Sequence, residues 1–314
     1  MKIAITGGTG FVGRALAERL IAAGHEVVVI GRGERAHISP PPPGITVVSA
    51  DITDVTALTE AFRGCVAIAH CAGINREIGA QTYAAVHVVG TRAVIEAARA
   101  AGVERLTVLS FLRARPDGPT AYRRSKWEAE ELVRGSGLTW TVLKAGVIHG
   151  RGDHMLDHLS HAFYTFPIFG LVGMRDRPVR PVAVADVACV LEAAMIGDPR
   201  LADRTVAVLG PEELMLGDAV RRVAAVTGRR PRFVRFPVVA HLVIAHVAEL
   251  LMKVPLVAVA QVRILQEGVT IPAPFADDLP PDLAPKTPFS EAVIRAGLPP
   301  AGRFGRADLR WFAR

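Results

Sequence analysis

Residues 6–13, which read TGGTGFVG, decide the fold. They follow a short apolar run and begin a helical pattern that continues to Ala23. Gly7, Gly10 and Gly13 form the pattern G-x-x-G-x-x-G, in which the first glycine permits a tight turn and the third lets the helix pack closely on the strand. The second lets a pyrophosphate approach the backbone, where the N–H groups of the helix start can hold it. A dinucleotide is therefore predicted to contact Gly7, Thr9, Gly10, Phe11, Val12 and Gly13.

The first 150 residues alternate short apolar runs with helical patterns. Strands that alternate with helices predict βαβ crossovers and a parallel sheet covered on both faces. The fold class is therefore α/β, a Rossmann-type doubly wound parallel sheet. The predicted strands are Lys2–Thr6, Glu26–Ile30, Thr46–Ser49, Val66–His70, Leu106–Ser110 and Thr139–Leu143, and the predicted helices are Phe11–Ala23, Val55–Phe62, Ala80–Ala101 and Thr120–Ser136.

Beyond residue 150 the strand signals become sparse, and residues 151–314 are predicted to form a smaller, interleaved α+β region with a proline-rich tail. Residues from about 180 to 210 are expected to return to the first domain. A substrate is expected between the carboxyl edge of the sheet and this second region, where open α/β sheets bind ligands. The predicted elements are strands Arg204–Leu209 and Arg232–Phe236 and helices Glu212–Thr227 and Ser290–Ala296.

The end of the second strand bears on the choice of nicotinamide cofactor. NAD binding usually needs a carboxylate there to hold the ribose 2′-hydroxyl. Here the strand ends in Ile30-Gly31-Arg32, and Arg32, aided by Arg35, would pair with a 2′-phosphate. NADP(H) is therefore the expected cofactor, with NAD(H) as the alternative because an arginine also stacks on adenine. Glu34 is the residue that would reverse the preference.

Two further strand ends supply candidate cofactor contacts. Asp51 is placed to accept from the adenine amino group while Ile52 packs on the ring, although a helix N-cap is an equally good interpretation of Asp51. Cys71, Ala72 and Gly73 follow the fourth strand, and such small residues allow the cofactor to pass close to the backbone.

Composition excludes several classes of protein. The chain has 314 residues, of which 50% are apolar and 21% charged, so it is not an intrinsically disordered protein. Its net charge is +7, yet no nucleic-acid recognition motif is present, and no nucleic-acid partner is expected. Cys65, Cys71 and Cys189 lie too far apart for a disulfide framework or a Cys-x-x-Cys metal site, which indicates a reducing compartment, the cytoplasm.

The stretch from Val238 to Val262 is the most apolar of the chain. Histidine, glutamate, lysine and proline interrupt it, and a spanning helix needs about 20 clean apolar residues. The pattern favours a buried helix, with partial insertion into a membrane surface as the alternative. No secretory signal is expected, because the predicted first strand starts at Lys2.

Together these features resemble the short-chain dehydrogenase/reductase superfamily, in its extended and atypical branches. The subgroup most similar includes the NADPH-binding accessory subunit of respiratory complex I and its bacterial relatives. The resemblance implies a Rossmann domain with a substrate-binding C-terminal part. It rests on residues 6–13, 51–52, 72–73, 109–112, 122–126, 147–153 and 181–188.

Tyr122 and Lys126, in the sequence YRRSK, carry the catalytic hypothesis. A spacing of four places both side chains on one helix face. A neighbouring ammonium favours the phenolate and is expected to lower the pKa of Tyr122. The resemblance implies that the tyrosine is the acid or base for a hydroxyl or carbonyl, while Lys126 also holds the nicotinamide ribose. Ser110, twelve residues before Tyr122, is the third catalytic candidate.

The chain differs from the family pattern at three places. Phe111 and Leu112 follow Ser110 where a serine-rich patch is usual, His87 stands where extended members carry asparagine, and Lys144-Ala145 replaces the usual Arg-Pro. His154, His158 and His161 share a helical face, but lining the substrate crevice or the surface is favoured over metal binding.

Two functions are therefore weighed. The first is an NADP(H)-dependent oxidoreductase or epimerase-like enzyme acting on a lipophilic small molecule. The second is a non-catalytic NADPH-binding structural or redox-sensing module attached to a membrane complex.

Overall fold

The computed structural model describes residues 1–32, 43–252, 259–305 and 308–309. Helices and strands are numbered in chain order. The strands are β1 (Lys2–Thr6), β2 (Glu26–Gly31), β3 (Ile45–Ser49), β4 (Ala67–His70), β5 (Arg105–Phe111), β6 (Thr139–Ala145), β7 (Ile148–His149), β8 (Ile168–Val172), β9 (Pro178–Val179), β10 (Val182–Ala183), β11 (Arg204–Val208), β12 (Leu214–Met215) and β13 (Arg232–Phe236).

Four of the described helices start at a residue whose side chain accepts a backbone N–H, which satisfies a donor that the first turn would otherwise leave unpaired. Asp54, Thr120, Asp153 and Ser290 cap α2, α4, α5 and α10 in this way. The helices are α1 (Phe11–Ala22), α2 (Val55–Phe62), α3 (Gly90–Ala100), α4 (Ala121–Arg134), α5 (His154–Thr165), α6 (Val184–Ile196), α7 (Leu216–Val226), α8 (Val238–Leu251), α9 (Val259–Leu265) and α10 (Glu291–Gly297).

The chain divides into two compact units. The first comprises residues 1–145, 184–208 and 271–285, and the second comprises residues 146–183, 209–270 and 286–314. The first unit holds a seven-stranded sheet in the order β3-β2-β1-β4-β5-β6-β11, with every neighbouring pair parallel. This order reverses direction between β1 and β4, as in a doubly wound sheet. The predicted fold class is confirmed.

The central strands are apolar along their whole length because helices cover both faces of the sheet. Residues 3–6 of β1 and 27–30 of β2 are buried throughout. On one face, Leu58 and Phe62 of α2 and Val94 of α3 pack with strand residues in one continuous core. The carboxyl ends of β1, β2 and β4 consequently meet at one edge, where the glycine loop begins.

Two predicted helices differ from those observed. The segment predicted from Ala80 to Ala101 contains a π-helical turn, Ala84–Val89, before α3 begins. The helix predicted from Glu212 begins only at Leu216, because Leu214 and Met215 pair with β9 instead.

The second unit is built around a two-stranded parallel sheet of β8 and β13. One face of this sheet points into a core in which Phe163, Phe169 and Phe233 contact each other at ring-centroid distances of 5.1 to 6.3 Å. On the other face lies α8, where the His241 ring nitrogen Nε2 is 3.2 Å from the Gly170 carbonyl oxygen.

The favoured interpretation of residues 238–262 as a buried helix is wrong. Within this stretch α8 buries only His241, Ala245 and Ala248, while five of its aliphatic side chains are exposed: Val239, Val243, Ile244, Val247 and Leu250. Residues 253–258 lie outside the described part of the chain. Among the described helices, none is long and apolar enough to span a membrane.

A buried ion network joins α4 to β6 in the first unit. The carboxylate of Glu130 accepts from Lys144 Nζ at 2.9 Å and from the Arg134 guanidinium at 2.8 Å. Lys144 Nζ also donates to the carbonyl oxygens of Ala114 and Ala273. Neither the Lys144 nor the Glu130 side chain reaches solvent, so each charge depends on its partner.

Replacement of Lys144 by methionine tests this network. Lys144→Met leaves the Glu130 carboxylate buried with one cation fewer, and the free energy of unfolding should fall by about 3 kcal/mol or more in urea denaturation. The double variant Lys144→Met/Glu130→Gln should recover part of that loss, because no buried charge is left without a partner. A single variant as stable as the parent protein would show that the pair contributes nothing.

Candidate functional site

The glycine loop brings backbone segments together more closely than any side chain would allow. Gly7 has φ of +70°, and a Cβ there would lie 2.7 Å from the Ala72 backbone. A Cβ on Gly13 would lie 2.4 Å from the Gly7 carbonyl oxygen. The N–H groups of Gly7 and Gly8 both donate to Ile30 O, at 2.9 and 3.2 Å. The loop is thus tied to the ends of its neighbouring strands.

The N-terminal end of α1 is prepared for an anion. Its N-cap, Gly10, offers no side-chain acceptor, and no acidic residue lies in the first turn. The N–H groups of Phe11, Val12 and Gly13 therefore gain no partner from the cap side chain, and the helix dipole adds partial positive charge. The residues present fit a pyrophosphate, because its oxygens can accept from these N–H groups and the glycines carry no Cβ that would block its approach.

Arg32 lies at the end of β2, as predicted. Its guanidinium donates to the Gln81 side-chain oxygen at 2.8 Å and lies 4.0 Å from an Asp51 carboxylate oxygen. Thr9 packs against Gly31, the residue before Arg32. A Cβ on Gly31 would lie 2.6 Å from the Thr9 hydroxyl oxygen. The arginine remains partly exposed. Glu34 and Arg35 lie outside the described residues.

The side chains of Asp51 and Ile52 have different surroundings in the structure. Asp51 Oδ1 accepts from the backbone N–H and the hydroxyl of Thr53, and these hydrogen bonds lower the pKa of its carboxyl. It is not the N-cap of α2, a position that Asp54 occupies. Ile52 is buried, and it would touch a Cβ built on Gly90. Ile52 therefore presents little surface to an adenine ring.

The segment after β4 also lies at the glycine loop. Cys71 N–H donates to Thr6 O at 3.0 Å, and Ala72 is the residue that Gly7 approaches. Burial raises the pKa of the Cys71 thiol to about 12, so this cysteine stays protonated. A Cβ on Gly73 would lie 3.1 Å from Lys126 Nζ and 3.5 Å from His87 Nε2. Gly73 thus marks where α4 reaches the end of β4.

Tyr122 sits in a cluster of rings. Its ring centroid is 5.5 Å from that of Tyr83, 5.7 Å from that of His87 and 5.5 Å from that of Phe111. Burial, with a smaller contribution from Tyr83, raises the pKa of Tyr122 above its usual range. The expected lowering of the Tyr122 pKa by Lys126 is wrong for this structure, because removal of the phenol from water outweighs the charge of Arg123, which is the neighbouring cation that acts to lower it.

Lys126 lies one turn beyond Tyr122 on α4. Its Nζ donates to the Leu109 carbonyl oxygen at 3.1 Å. Burial lowers the pKa of Lys126 to about 8, while Cys71 and Glu130 act in the opposite direction. The ammonium therefore prevails below about pH 8.

Ser110, the third catalytic candidate, points elsewhere. Its hydroxyl donates to Glu130 Oε1 at 2.6 Å, which makes it part of the buried ion network. Lys144 of the unusual Lys-Ala pair belongs to the same network. The structure therefore brings Tyr122 and Lys126 together on one helix and gives Ser110 a structural partner.

His87 links two elements of the site. Its Nε2 accepts from the Ile74 backbone N–H at 3.1 Å, so Nδ1 carries the proton and donates to Ser125 Oγ at 2.9 Å. Ser125 in turn donates to the Tyr122 carbonyl oxygen. Burial lowers the pKa of His87 to about 2, so the ring is neutral. The π-helical turn places this histidine, consistent with the frequent use of such turns at functional sites.

His70, a second buried histidine, extends the series of hydrogen bonds from His87 to Thr6 at the end of β1. Thr91 donates its hydroxyl proton to His87 O, so its oxygen accepts from His70 Nε2 at 2.9 Å. His70 Nδ1 then accepts from the Thr6 hydroxyl at 2.7 Å. Burial lowers the pKa of His70 to about 3. The end of β1 is thereby connected to α4 through neutral groups.

Sequence reasoning missed several of these residues. Tyr83 lies four residues before His87, and this helical spacing could have placed it beside the same site. Gln81 and Glu130 carried no signal, since single amides and carboxylates on helices are usually solvated.

The histidines of α5 do not gather around a common point. His161 Nδ1 is 2.8 Å from the Asp157 carbonyl oxygen, and the rings of His154 and His158 are 5.8 Å apart. Among the described residues, no group of three or more His, Cys, Asp or Glu side chains could hold a metal ion.

Comparisons with known proteins agree with this geometry. A family model described as NAD(P)H-binding matches residues 7–158, which include the glycine loop and α4. A (4-alkanoyl-5-oxo-2,5-dihydrofuran-3-yl)methyl phosphate reductase of Streptomyces griseus is 32% identical over 232 residues, which are 74% of this chain and 76% of that one. The chain belongs to the NAD(P)H-binding short-chain dehydrogenase/reductase superfamily, with an extended-type Rossmann domain.

Other relatives are 27 to 29% identical to this chain. A ceramide reductase of Caulobacter vibrioides is 29% identical over 75% of this chain and 73% of its own. Subunit 9 of the NADH dehydrogenase [ubiquinone] 1 alpha subcomplex of Mus musculus is 27% identical over 74% of this chain and 62% of its own. The chain spans about a quarter of the length of uncharacterized mycobacterial proteins that it matches at 29% identity.

Solved structures show the same fold. The UDP-glucuronic acid 4-epimerase of Bacillus cereus, solved with UDP-glucuronic acid and NAD, superposes with a TM-score of 0.69. The match covers 95% of this chain and 98% of the epimerase at 14% identity.

Truncation of His87 tests its role as a link. His87→Ala leaves the Ile74 N–H without its acceptor, and the free energy of unfolding should fall by about 1 to 3 kcal/mol in urea. The matched variant His246→Ala, which removes an exposed histidine, should unfold like the parent protein. Equal stability of all three proteins would contradict the assignment.

Proposed function

We propose that the chain is an NADP(H)-dependent reductase that converts a carbonyl group of a lipophilic small molecule to a hydroxyl. The observation that carries this proposal is that Lys126 Nζ lies beside Gly73, after β4, while Tyr122 on the same helix contacts the ring of His87, whose Nε2 lies beside the same glycine. Relatives whose names describe reductases support the choice of reaction.

Tyr122 acts as the acid. Its raised pKa keeps the phenol protonated at neutral pH, so it can donate a proton to a carbonyl oxygen but is a poor base. When bound, the nicotinamide supplies the hydride that reaches the carbonyl carbon. Proton and hydride together account for the two hydrogens of the alcohol. The burial of Tyr122 therefore favours reduction over oxidation.

Lys126 acts through position and charge. Its ammonium lies next to Gly73, in the segment that follows β4. There it would hold the ribose hydroxyls and stabilise negative charge that develops on the phenol as the proton leaves. The rings of Phe111 and Tyr83 around Tyr122 exclude water and suit an apolar substrate.

Arg32 supports the choice of NADP(H). Its guanidinium is fixed at the end of β2 by Gln81, and it has donors left for a 2′-phosphate. Asp51, 4.0 Å away, balances its charge without a close ion pair.

A non-catalytic module is the second candidate. The bond from Ser110 to Glu130 removes the serine that the family pattern would place beside the tyrosine. Subunit 9 of an NADH dehydrogenase [ubiquinone] 1 alpha subcomplex is also among the relatives. In this case the chain would hold NADPH within a membrane complex without turning it over.

Replacement of Arg32 tests the cofactor preference. The parent protein should be stabilised against heat more by NADPH than by NADH at equal concentration, because binding to the folded state adds directly to stability. Arg32→Ala should weaken NADPH binding by about tenfold or more and leave NADH nearly unchanged. Arg63→Ala, an exposed arginine of the same unit paired with Glu60, is the control. Equal stabilisation of the parent protein by both cofactors would defeat the proposal.

Removal of the Tyr122 hydroxyl separates the two candidate functions. With long-chain aliphatic ketones and aldehydes as substrates, Tyr122→Phe should lower kcat by about a hundredfold or more, as loss of a general acid does. Its affinity for NADPH should stay close to that of the parent protein. Tyr164→Phe, which removes a hydroxyl that donates to Thr227 O, is the matched control. Turnover that survives in Tyr122→Phe would refute the assigned acid, and NADPH binding without turnover of any carbonyl compound would favour the module.

A further inference from the structure

Helix α8 of the second unit exposes several of its aliphatic side chains and buries a histidine and two alanines. The residues that it buries are His241, Ala245 and Ala248, whereas Val239, Val243 and Leu250 are 72, 60 and 69% exposed. An ordinary surface helix buries its large aliphatic side chains and exposes its polar ones. Exposure of aliphatic groups on this scale costs free energy unless something covers them.

The exposed side chains form one stripe. At 100° per residue, positions 239, 243, 247 and 250 fall within about 80° of one another around the helix axis. Ile244 widens the stripe on one side. Glu249 is the helix's only acidic residue, and its carboxylate accepts the Val259 N–H, which keeps it directed toward the protein. The outward face of α8 therefore carries no acidic residue, lysine or arginine, and its polar side chain is the exposed His246, whose Nδ1 lies 2.9 Å from the Leu242 carbonyl oxygen.

The apolar surface continues onto the sheet beneath α8. Gly170 and Phe236, which contact His241, lie on the outer face of the sheet of β8 and β13. Side chains alternate along a strand, so Ile168 and Val234 share that face, and both are exposed. We define the α8 patch as Ile168, Val234, Val239, Val243, Ile244, Val247 and Leu250.

Basic residues border the α8 patch. Arg232 pairs with Ile168 in the sheet register and is exposed on the same face, and Arg229 and Arg230 precede it at exposed positions. Of the six arginines in residues 219–248, Arg221, Arg222 and Arg235 are paired with Asp218, Glu212 and Asp176, which leaves Arg229, Arg230 and Arg232 to supply positive charge beside the α8 patch. A mainly aliphatic stripe beside exposed arginines is the pattern of a surface that meets an acidic lipid bilayer.

We propose that the α8 patch seats the protein on an anionic membrane surface. Fourteen residues make α8 about 21 Å long, shorter than the roughly 30 Å hydrocarbon core, so it cannot span a bilayer. It lies in the plane of the interface with its aliphatic stripe among the acyl chains, while Arg230 and Arg232 contact lipid phosphates. This surface would hold the protein where a lipophilic substrate is concentrated, but its argument does not rest on the proposed reductase activity.

A second copy of the chain fits the α8 patch less well. Across a twofold axis the same patch would face itself and bring the two arginine groups together. No acidic residue between positions 219 and 248 is available to offset their repulsion. The charge pattern therefore favours lipid phosphate over a like-charged partner.

Flotation of the full chain with vesicles tests the proposal. The protein should bind vesicles that contain phosphatidylglycerol and bind pure phosphatidylcholine vesicles more weakly, with loss of the difference at high salt. Val243→Glu/Leu250→Glu should lower the partition coefficient by about tenfold or more for each side chain. Arg230→Gln/Arg232→Gln should lower it by about fivefold for each arginine, on acidic vesicles only.

Ile196→Glu is the matched control, because it places a glutamate at an exposed aliphatic position of the first unit. It should float like the parent protein, and the thermal unfolding of all variants should show that they are folded. The proposal is overturned if the parent protein does not bind acidic vesicles or if the α8 variant binds as well as Ile196→Glu. A dimer in solution that the α8 variant dissociates, without any vesicle binding, would instead identify a second copy as the occupant.

Discussion

The close approach of Gly13 to Gly7 is the contact on which the site depends. Without side chains at these two positions, the first turn of α1 packs directly on the ends of β1 and β4. The N–H groups of that turn then point out of the sheet edge with no cap beneath them. A pyrophosphate there is held by fixed dipoles, and its position determines where the nicotinamide end reaches α4.

Burial sets the protonation of the groups around this edge. His70 and His87 are neutral because no charge compensates their removal from water, and each therefore accepts one hydrogen bond and donates another. Tyr122 is held as a phenol for the same reason. The buried Glu130 carboxylate faces two cations, Lys144 and Arg134. The site thus combines a neutral polar chain with the Lys126 ammonium, which prevails below about pH 8.

The fold was predictable from local patterns, whereas the side-chain partners were not. Glycine spacing and runs of β-branched residues predicted the strands and the loop, because both signals are local in sequence. The bond from Ser110 to Glu130 joins residues 20 apart, and the orientation of α8 follows from tertiary packing that buries His241, Ala245 and Ala248. Neither is visible in a hydrophobic pattern. The pKa of Tyr122 depends on burial, which spacing on a helix does not reveal.

A crystal structure of the chain grown with NADPH tests the central claim most directly. The account predicts the diphosphate within hydrogen-bond distance of the backbone N–H groups at residues 11 and 12, with the adenosine 2′-phosphate beside Arg32. Electron density for the diphosphate elsewhere on the protein, or none at saturating NADPH, would contradict it.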